Sequence, residues 1–528
     1  MTNTARAPRA PLPLRALAAV ASILLAGPAA YLIIRNFTSD ADPIGLLFSE
    51  QTRGPLWRTV KLATLVSLSS GVIGVGLAWL TSRTDLPMRK TFRILLTLPL
   101  VYPTFLGAAA LVRTLNPGGL INNALTTVGI DRTPTLGGLW GAWLVLTMFT
   151  YPYVYLPVAA RFSKLPGSIE QSARLLGNSA FHVFRRIILP QASGSIAAGM
   201  LLVFLYAISD FGAVSILRYD TLTRAIEANQ LNRPVALALS LLLLVIAGIV
   251  VLAERAAQRR RRPGTTIRSD RAAKVQLGRA RIPAFVVASL IALLSLGAPL
   301  AAIIDWSVRG LAQGRTLTID TGEVARVTWH TLAVSAVAAL ATVLLVLPIA
   351  VLYGRYRSRI GAVGNAVAIS TFALPGILVA LAGTFFIRQT NWTFNTFHNT
   401  MVVLIFAYVV RFAALAMGTS LLAVLAVPDR MRDASQTLGA TGFRRFVSVD
   451  LPLMAPGLLA AGGLVLLSVM KELPISLLLS PFEFETLSTR IFSTFNESFV
   501  TEAGLMALAL VGLSFVATWF LVIRPSER

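Results

Sequence analysis

The sequence predicts an all-α integral membrane protein with about twelve transmembrane helices in two parallel six-helix repeats. Three observations lead to this fold class. Of the 528 residues, 55% are hydrophobic and only 13% are charged, whereas about 25% of the residues of a soluble domain are charged. The apolar residues form runs long enough to cross a hydrocarbon core about 30 Å thick. Part of the chain also recurs at a fixed offset, which indicates an internal repeat.

The apolar runs are predicted to be helices because backbone polar groups inside lipid must be paired within the segment itself. The twelve predicted spans cover residues 14–34, 60–81, 93–113, 138–160, 193–217, 234–253, 283–304, 329–353, 362–387, 399–424, 455–480 and 502–523. The third, fourth and ninth spans contain Pro99, Pro103, Pro152, Pro157 and Pro375. These three spans are therefore predicted to be the least regular.

The distribution of positive charge predicts the orientation. If the N-terminus lies in the cytoplasm, the inner loops carry more than twice as many lysines and arginines as the outer loops, which is the bias expected of a correctly oriented membrane protein. Both termini are therefore predicted to be cytoplasmic. Contact with anionic membrane lipid accounts for the net charge of +24, so no nucleic-acid partner is predicted. A cleaved signal peptide is the alternative for the first span, but its apolar run continues to Ile34 and favours a span.

The internal repeat relates two loops on the predicted inner side. Residues 166–190 match residues 428–452 at seven positions with an offset of 262, including Gly177 with Gly439 and a Leu-Pro pair at the end of each copy. The repeat divides the chain into a first half, a basic cytoplasmic linker and a second half. Their predicted boundaries are 1–253 with its loop at 161–192, 254–282, and 283–528 with its loop at 425–454.

Each repeated loop is predicted to form two short helices outside the membrane. Ser168 and Gln171 have the spacing of a capping box, and Asp429 is predicted to cap the second copy. Gly177 and Gly439 then allow the chain to turn.

The second short helix of each loop is predicted to stop at the Leu-Pro pair, before the next span. Exposed apolar side chains on two similar elements suggest a partner with two equivalent pockets. Amphipathic helices that rest on the bilayer surface are the alternative.

Four ionisable residues fall inside predicted spans away from the span ends, where such groups are costly and are candidates for a translocation pathway. They are Asp210 in the fifth span, Arg411 in the tenth, and Lys471 and Glu472 in the eleventh. Asp210 aligns with Glu472 at the repeat offset, which gives one carboxylate per half, and carboxylate oxygens suit hard cations. Structural ion pairs, Arg411 with Glu472 or Lys471 with Asp210, are the alternative.

Several motifs of catalytic and metal-binding proteins are absent from the sequence. There is no cysteine, and the three histidines are far apart, so no catalytic residue, resident metal or bound cofactor is predicted. No G-x-x-x-x-G-K-[ST] motif occurs, so the phosphate-cradling loop of an ATPase must belong to another polypeptide. The sequence predicts a protein that is not an enzyme.

The two loops resemble the EAA loop of ABC importer permeases of the type I fold. The segments Gln171-Ser172-Ala173, Gly177 and Leu189-Pro190 carry this resemblance in the first half, with Gln171 in place of the usual Glu. The resemblance implies that each loop is a coupling helix seated in a groove of an ATPase subunit. The implied coupling residues are Glu170, Gln171, Ser172, Ala173, Gly177, Leu189, Pro190, Asp433, Ala434, Ser435, Gly439, Leu451 and Pro452.

The wider sequence resembles the two-domain permeases of ferric-iron ABC importers. The resemblance rests on residues 209–213, 374–376, 471–474 and 482–490. It implies import of ferric iron across the bacterial inner membrane by alternating access. The implied partners are two copies of an ABC ATPase, which uses ATP and Mg, and a substrate-binding protein on the outer face. Thiamine, polyamines and oxyanions are alternative substrates. A major-facilitator-type secondary transporter also has two parallel six-helix halves, but it would need neither an ATPase nor the matched loops.

Overall fold

A computed structural model of the protein describes residues 10–38, 45–46, 49–116, 119, 129, 135–259, 275–312 and 320–519. Nearly all of these residues lie in helices. The described residues form no β-strand apart from an isolated bridge between Thr84 and Val275. The predicted all-α fold class is confirmed.

Among the described residues, ten helices are long and apolar enough to cross a membrane, and two further pairs of helices, each bent at a short break, bring the number to twelve if each pair is one span. The ten are Leu12–Thr38, Glu50–Arg83, Gly138–Lys164, Phe181–Ser209, Arg233–Ala253, Gly278–Val308, Thr321–Gly354, Met401–Ala426, Gly442–Val469 and Val500–Thr518. The bent pairs are Arg89–Val101 with Thr104–Leu115 and Arg359–Ala373 with Gly376–Ile387. Shorter helices are Gly167–Leu175, Gly212–Ile216, Leu222–Ala228, Asn391–Phe397, Asp429–Thr437, Pro474–Leu479 and Leu487–Asn496. These helices agree with the prediction of about twelve spans.

The two bent pairs are the predicted third and ninth spans, and each bends by 103°. Pro103 and Pro375 lie at these breaks and occupy the N-cap positions of the second helices. A break is expected there, because proline cannot continue a helix and favours extended backbone in the residue before it. The first seven or eight residues after each break, 104–111 and 376–382, are all buried. A helix that is apolar and buried on every side lies in the core of the protein.

The chain divides into two compact units that differ from the predicted sequence halves. The first unit contains residues 44–315 and 498–505, and the second contains residues 1–43, 316–497 and 506–528. The opening helix of each half therefore belongs to the unit built mainly from the other half. The predicted boundaries stay a prediction about the repeat, and residues 260–274 of the predicted linker lie outside the described residues.

Each unit is organised around one 34-residue helix, Glu50–Arg83 in the first unit and Thr321–Gly354 in the second. We call these the first and second long helices. The first packs against Pro152–Lys164 and Leu189–Ser209, and the second packs in the same way against Met401–Ala426 and Leu451–Val469.

The opening helices pack within the units to which they belong. In the second unit, Leu12–Thr38 lies against Arg359–Ser370 and the second long helix. In the first unit, Ala298–Ala312 lies against Thr104–Leu115.

Close packing in the first unit depends on Gly74 of the first long helix. A Cβ atom at Gly74 would lie 3.0 Å from the Tyr155 N atom and 3.1 Å from the Tyr151 carbonyl oxygen. Both neighbours are backbone atoms, so the helices would have to separate. Small residues commonly permit such close approach between membrane helices.

We expect Gly74→Leu to destabilise the protein by about 1–3 kcal/mol, because overpacking forces the helix backbones apart. Gly76→Leu is the matched control, since a Cβ atom there would meet nothing within 4 Å. Thermal unfolding of the two variants in one detergent measures the difference. Equal melting temperatures would show that the Gly74 contact is not a constraint on packing.

Candidate functional site

The two repeated loops form the helices that the sequence predicts. The first loop helix, Gly167–Leu175, and the second loop helix, Asp429–Thr437, each have nine residues. Both begin after a proline at the N-cap position, Pro166 or Pro428, and neither has a side-chain hydrogen bond at its N-cap. The predicted capping box at Ser168 is therefore wrong, as is the predicted cap at Asp429. The proline places these residues inside the first turn, beyond the capping position.

Both loop helices end at a glycine, as predicted. Gly177 has φ +84° and Gly439 has φ +80°, the left-handed conformation in which a side chain is disfavoured. The Gly177 N–H donates to the Arg174 carbonyl at 2.9 Å, and the Asn178 N–H donates to the Ala173 carbonyl at 3.3 Å. The second loop helix has the same pair of bonds. These bonds satisfy the carbonyl groups at the helix ends.

The Leu-Pro pairs do not stop a helix. Leu189 and Pro190 lie inside the continuous helix Phe181–Ser209, and the second copy lies inside Gly442–Val469. A π-helical turn, Phe184–Ile188 or Phe446–Asp450, precedes each pair. The wider turn gives room for a proline ring in a helix, because the residue before the proline donates its N–H five residues back. The predicted stop at these prolines is therefore wrong.

The predicted coupling residues divide between two faces of the loop helices. Glu170 and Ala173 are buried in the first loop helix, and Ser435 is buried in the second. The exposed residues are Gln171, Ser172, Gly177, Pro190, Asp433, Ala434, Gly439 and Pro452, while Leu189 and Leu451 are half-buried. One face of each loop helix therefore contacts the rest of its own unit, and the other is open.

The open surface carries apolar side chains that were not among the predicted coupling residues. Leu176 is 82% exposed and Phe181 is 71% exposed, and their counterparts Leu438 and Phe443 are 88% and 81% exposed. Both pairs are identities of the internal repeat. The identity of these residues in the two copies was the sequence signal that could have identified this exposed surface. Nothing within a single loop distinguishes an exposed leucine from a buried one.

Glu170 is a buried carboxylate on the inward face of the first loop helix. Its Oε2 atom lies 3.7 Å from Arg83 Nη1, and its Oε1 atom lies 3.9 Å from Arg174 Nε. Burial raises the pKa of Glu170 above its ordinary value, while the two arginines act in the opposite direction. Gln171, which stands where the EAA loop usually has Glu, is exposed. The acidic residue of this loop is instead the buried Glu170, which faces its own unit.

Asp210 acts as a helix cap in the first unit. The preceding helix ends at Ser209, so Asp210 lies just beyond it and not within the span as predicted. Its Oδ1 atom accepts hydrogen bonds from the N–H groups of Ala213 at 3.0 Å and Val214 at 3.3 Å. Its Oδ2 atom accepts one from Thr104 Oγ1 at 2.5 Å. Asp210 thus joins the short helix Gly212–Ile216 to the first residue after the break at Pro103.

Arg411 and Glu472 meet the corresponding break in the second unit. Arg411 Nη1 donates to the Leu374 carbonyl at 2.8 Å, at the end of the helix before the break. Glu472 lies against Gly376, the first residue of the helix after it. A cation at the carbonyl end and an anion at the amide end suit the two helix dipoles. Lys471 and Glu472 follow the helix that ends at Val469 and are half-buried, so they lie beyond this helix and not within it as predicted.

Comparison with known sequences places the chain among transport proteins. The family described as binding-protein-dependent transport system inner membrane component matches residues 70–263 and 346–524. The chain belongs to this family. Each match contains one loop helix, as expected for two repeats. The protein is therefore a permease component of an ABC importer and a multi-pass membrane protein. Its family implies an ATPase and a substrate-binding protein as partners.

Relatives of this permease differ in the substrate that their names state. The chain is 28% identical to the Fe(3+)-transport system permease protein FbpB 2 of Haemophilus influenzae, over 90% of this chain and 91% of that protein. It is 34% identical to a probable molybdenum ABC transporter permease protein of Haloferax volcanii, over 32% of this chain and 60% of that protein. It is 30% identical to the sulfate transport system permease protein CysT of Salmonella typhimurium, over 30% of this chain and 55% of that protein.

We expect Asp210→Ala to destabilise the permease more than Asp210→Asn. Alanine leaves two buried N–H groups without an acceptor, at a cost of about 1–3 kcal/mol each, whereas asparagine retains an acceptor oxygen. Thermal unfolding in detergent measures the difference. An asparagine variant that is as unstable as the alanine variant would contradict a capping role and show that the negative charge itself is required.

Proposed function

We propose that this chain forms the complete pore of a ferric-iron importer and that two copies of a separate ATPase dock on its two loop helices. The observation that supports docking is the exposed leucine and phenylalanine at equivalent positions of both loops. Exposed apolar side chains of this size are typical of surfaces that bind a partner. Two equivalent surfaces suit two copies of one ATPase subunit.

The proposed transport cycle is alternating access. ATP binding closes the two ATPase copies and moves the loop helices, so that the pore opens outward and receives substrate from the binding protein. Hydrolysis of ATP returns the permease to its inward-facing state. The free energy for this cycle comes from ATP, because a substrate that binds both states equally shifts neither. The positive-inside bias supports cytoplasmic termini and loops in the bacterial inner membrane.

The proposed pathway residues are Arg411, Lys471 and Glu472 of the second unit, which are half-buried. Charged groups at such positions in membrane proteins commonly face a pathway or a water-filled cavity. Asp210 is the weaker candidate, because both of its carboxylate oxygens already accept hydrogen bonds.

Ferric iron is the substrate that the sequence comparisons favour. The similarity to the Fe(3+)-transport permease extends over nearly the whole of both proteins, whereas the similarities to the molybdenum and sulfate permeases cover only 60% and 55% of those proteins. An oxyanion is the second candidate, since both of those permeases are related to this one.

We expect Leu176→Asp combined with Leu438→Asp to weaken ATPase association by at least about tenfold per site. Burying a leucine contributes about 1.5–3 kcal/mol, and about 1.4 kcal/mol corresponds to a factor of ten in affinity. Co-purification of the permease with its ATPase measures the effect. Leu231→Asp is the matched control, because Leu231 is equally exposed at 83% but lies outside both loops. Undiminished association of the double variant would contradict docking and favour loop helices that rest on the bilayer surface.

We expect cells that lack this permease to lose uptake of labelled ferric iron and to recover it when the gene is restored. The iron must be supplied with the cognate binding protein and ATPase present, because the family requires both. Labelled sulfate, molybdate, thiamine and putrescine are the controls. Loss of sulfate or molybdate uptake with unchanged iron uptake would establish the oxyanion alternative.

A further inference from the structure

An arginine lies at the end of each long helix and contacts the adjacent loop helix. Arg83 is the last residue of the first long helix, and Arg355 directly follows the second. Arg83 is 1% exposed despite its charge. A buried arginine at the end of a span requires compensating contacts, and these contacts lead to the loop helices.

Both arginines bind the same backbone position. Arg83 Nη2 donates to the Leu165 carbonyl at 2.7 Å, and Arg355 Nη2 donates to the Val427 carbonyl at 2.6 Å. Leu165 and Val427 are equivalent at the repeat offset, and each immediately precedes the proline that begins a loop helix. The guanidinium group therefore fixes the point at which the chain enters the loop helix.

Both arginines also face a carboxylate in the first turn of the loop helix. Arg83 Nη1 lies 3.7 Å from Glu170 Oε2, and Arg355 Nη1 lies 3.1 Å from Asp429 Oδ1. A planar guanidinium can hold a carbonyl and a carboxylate at the same time, which a lysine ammonium does less well.

The two acidic residues do not occupy equivalent positions. At the repeat offset, Glu170 aligns with Arg432, and Asp429 aligns with Gly167. The same contact is thus made through different residues in the two halves. A contact preserved by different residues is not explained by inheritance of the repeat alone.

We propose that Arg83 and Arg355 are positioning residues that brace each loop helix to its long helix, so that ATPase-driven movement reaches the membrane as one rigid piece. This inference rests on the proposed function. A nine-residue helix is only marginally stable in water without tertiary contacts. It therefore transmits force from the ATPase only if a second contact holds it to the permease. The brace supplies that point, beside the exposed leucine and phenylalanine of the same loop.

The two braces differ in their exposure to solvent. The side chain of Glu170 is 4% exposed, whereas that of Asp429 is 82% exposed. Salt screens an exposed ion pair much more than a buried one. We therefore expect the ion pair to contribute more to the first brace, and the second brace to depend mainly on the carbonyl groups of Val424 and Val427, both of which accept from Arg355.

Distance measurement between two spin labels tests the brace, because the chain has no cysteine. Ser168→Cys on the first loop helix and Val72→Cys on the first long helix are both exposed positions. In lipid, with ATPase and binding protein bound, we expect one narrow distance distribution that is the same without nucleotide and with ATP trapped. Arg83→Met with Glu170→Gln removes the pair without leaving a buried unpaired charge, because Arg174, the other partner of Glu170, is solvent-exposed. In that variant we expect a broadened, nucleotide-dependent distribution. We also expect transport per ATP hydrolysed to fall about tenfold, within the usual range of coupling between sites.

Arg93→Met is the matched control, because Arg93 also binds a backbone carbonyl of the first long helix, that of Thr81 at 3.0 Å, but lies outside the loop. This control should leave both the distance distribution and the coupling unchanged.

Arg355→Gln provides a second test that does not leave a buried charge, since its partner Asp429 remains solvated. This variant should lower coupling while ATP hydrolysis is retained. An unchanged narrow distribution and normal coupling in the Arg83→Met, Glu170→Gln variant, together with normal coupling in Arg355→Gln, would overturn the brace. Transport by the unaltered chain without any ATPase would instead overturn the proposed function.

Discussion

The requirement that backbone polar groups be paired inside a membrane governs this structure. An unbroken helix satisfies this requirement within itself, as in the ten long apolar helices of the described part of the chain. The breaks at Pro103 and Pro375 do not, because each exposes the carbonyl end of one helix and the amide end of the next. Polar side chains lie at both breaks: Asp210 accepts from Thr104 beside the first, and at the second Arg411 donates to the Leu374 carbonyl while Glu472 lies against Gly376. Three of the four ionisable residues that were predicted inside spans, Asp210, Arg411 and Glu472, therefore lie at the two bent spans.

The two repeats keep backbone geometry more closely than side-chain chemistry. Both breaks bend by the same angle, and both loop helices have nine residues and end at a left-handed glycine. The residue at the repeat offset from Arg411 is Phe149, which packs on Tyr102 with ring centroids 6.0 Å apart. An arginine bonded to a carbonyl in one unit thus corresponds to an aromatic pair in the other. The backbone arrangement is the common constraint, and different side chains meet it.

The spans, the repeat and the glycine turns were predictable because each depends on a signal that is local in sequence. Hydropathy gives the spans, and a left-handed turn favours glycine at positions 177 and 439. The failures share a different cause. Ser168 has capping-box spacing, but Pro166 sets the helix start two residues earlier. Pro190 was predicted to stop a helix that continues through a π-helical turn. The contacts of Arg83 with Glu170, and the placement of each opening helix, join residues far apart in sequence, so no local pattern contains them.

The loop helices present different chemistry on their two sides. Toward its own unit, each holds an acidic residue against an arginine, and a backbone carbonyl beside it accepts from the same guanidinium. Away from the unit, each loop leaves a leucine and a phenylalanine exposed. An apolar contact is not directional and adapts to a moving partner surface, whereas a guanidinium held by two acceptors resists rotation. If an ATPase docks there as proposed, we expect a pull on the apolar side to move the long helix before it distorts the braced side.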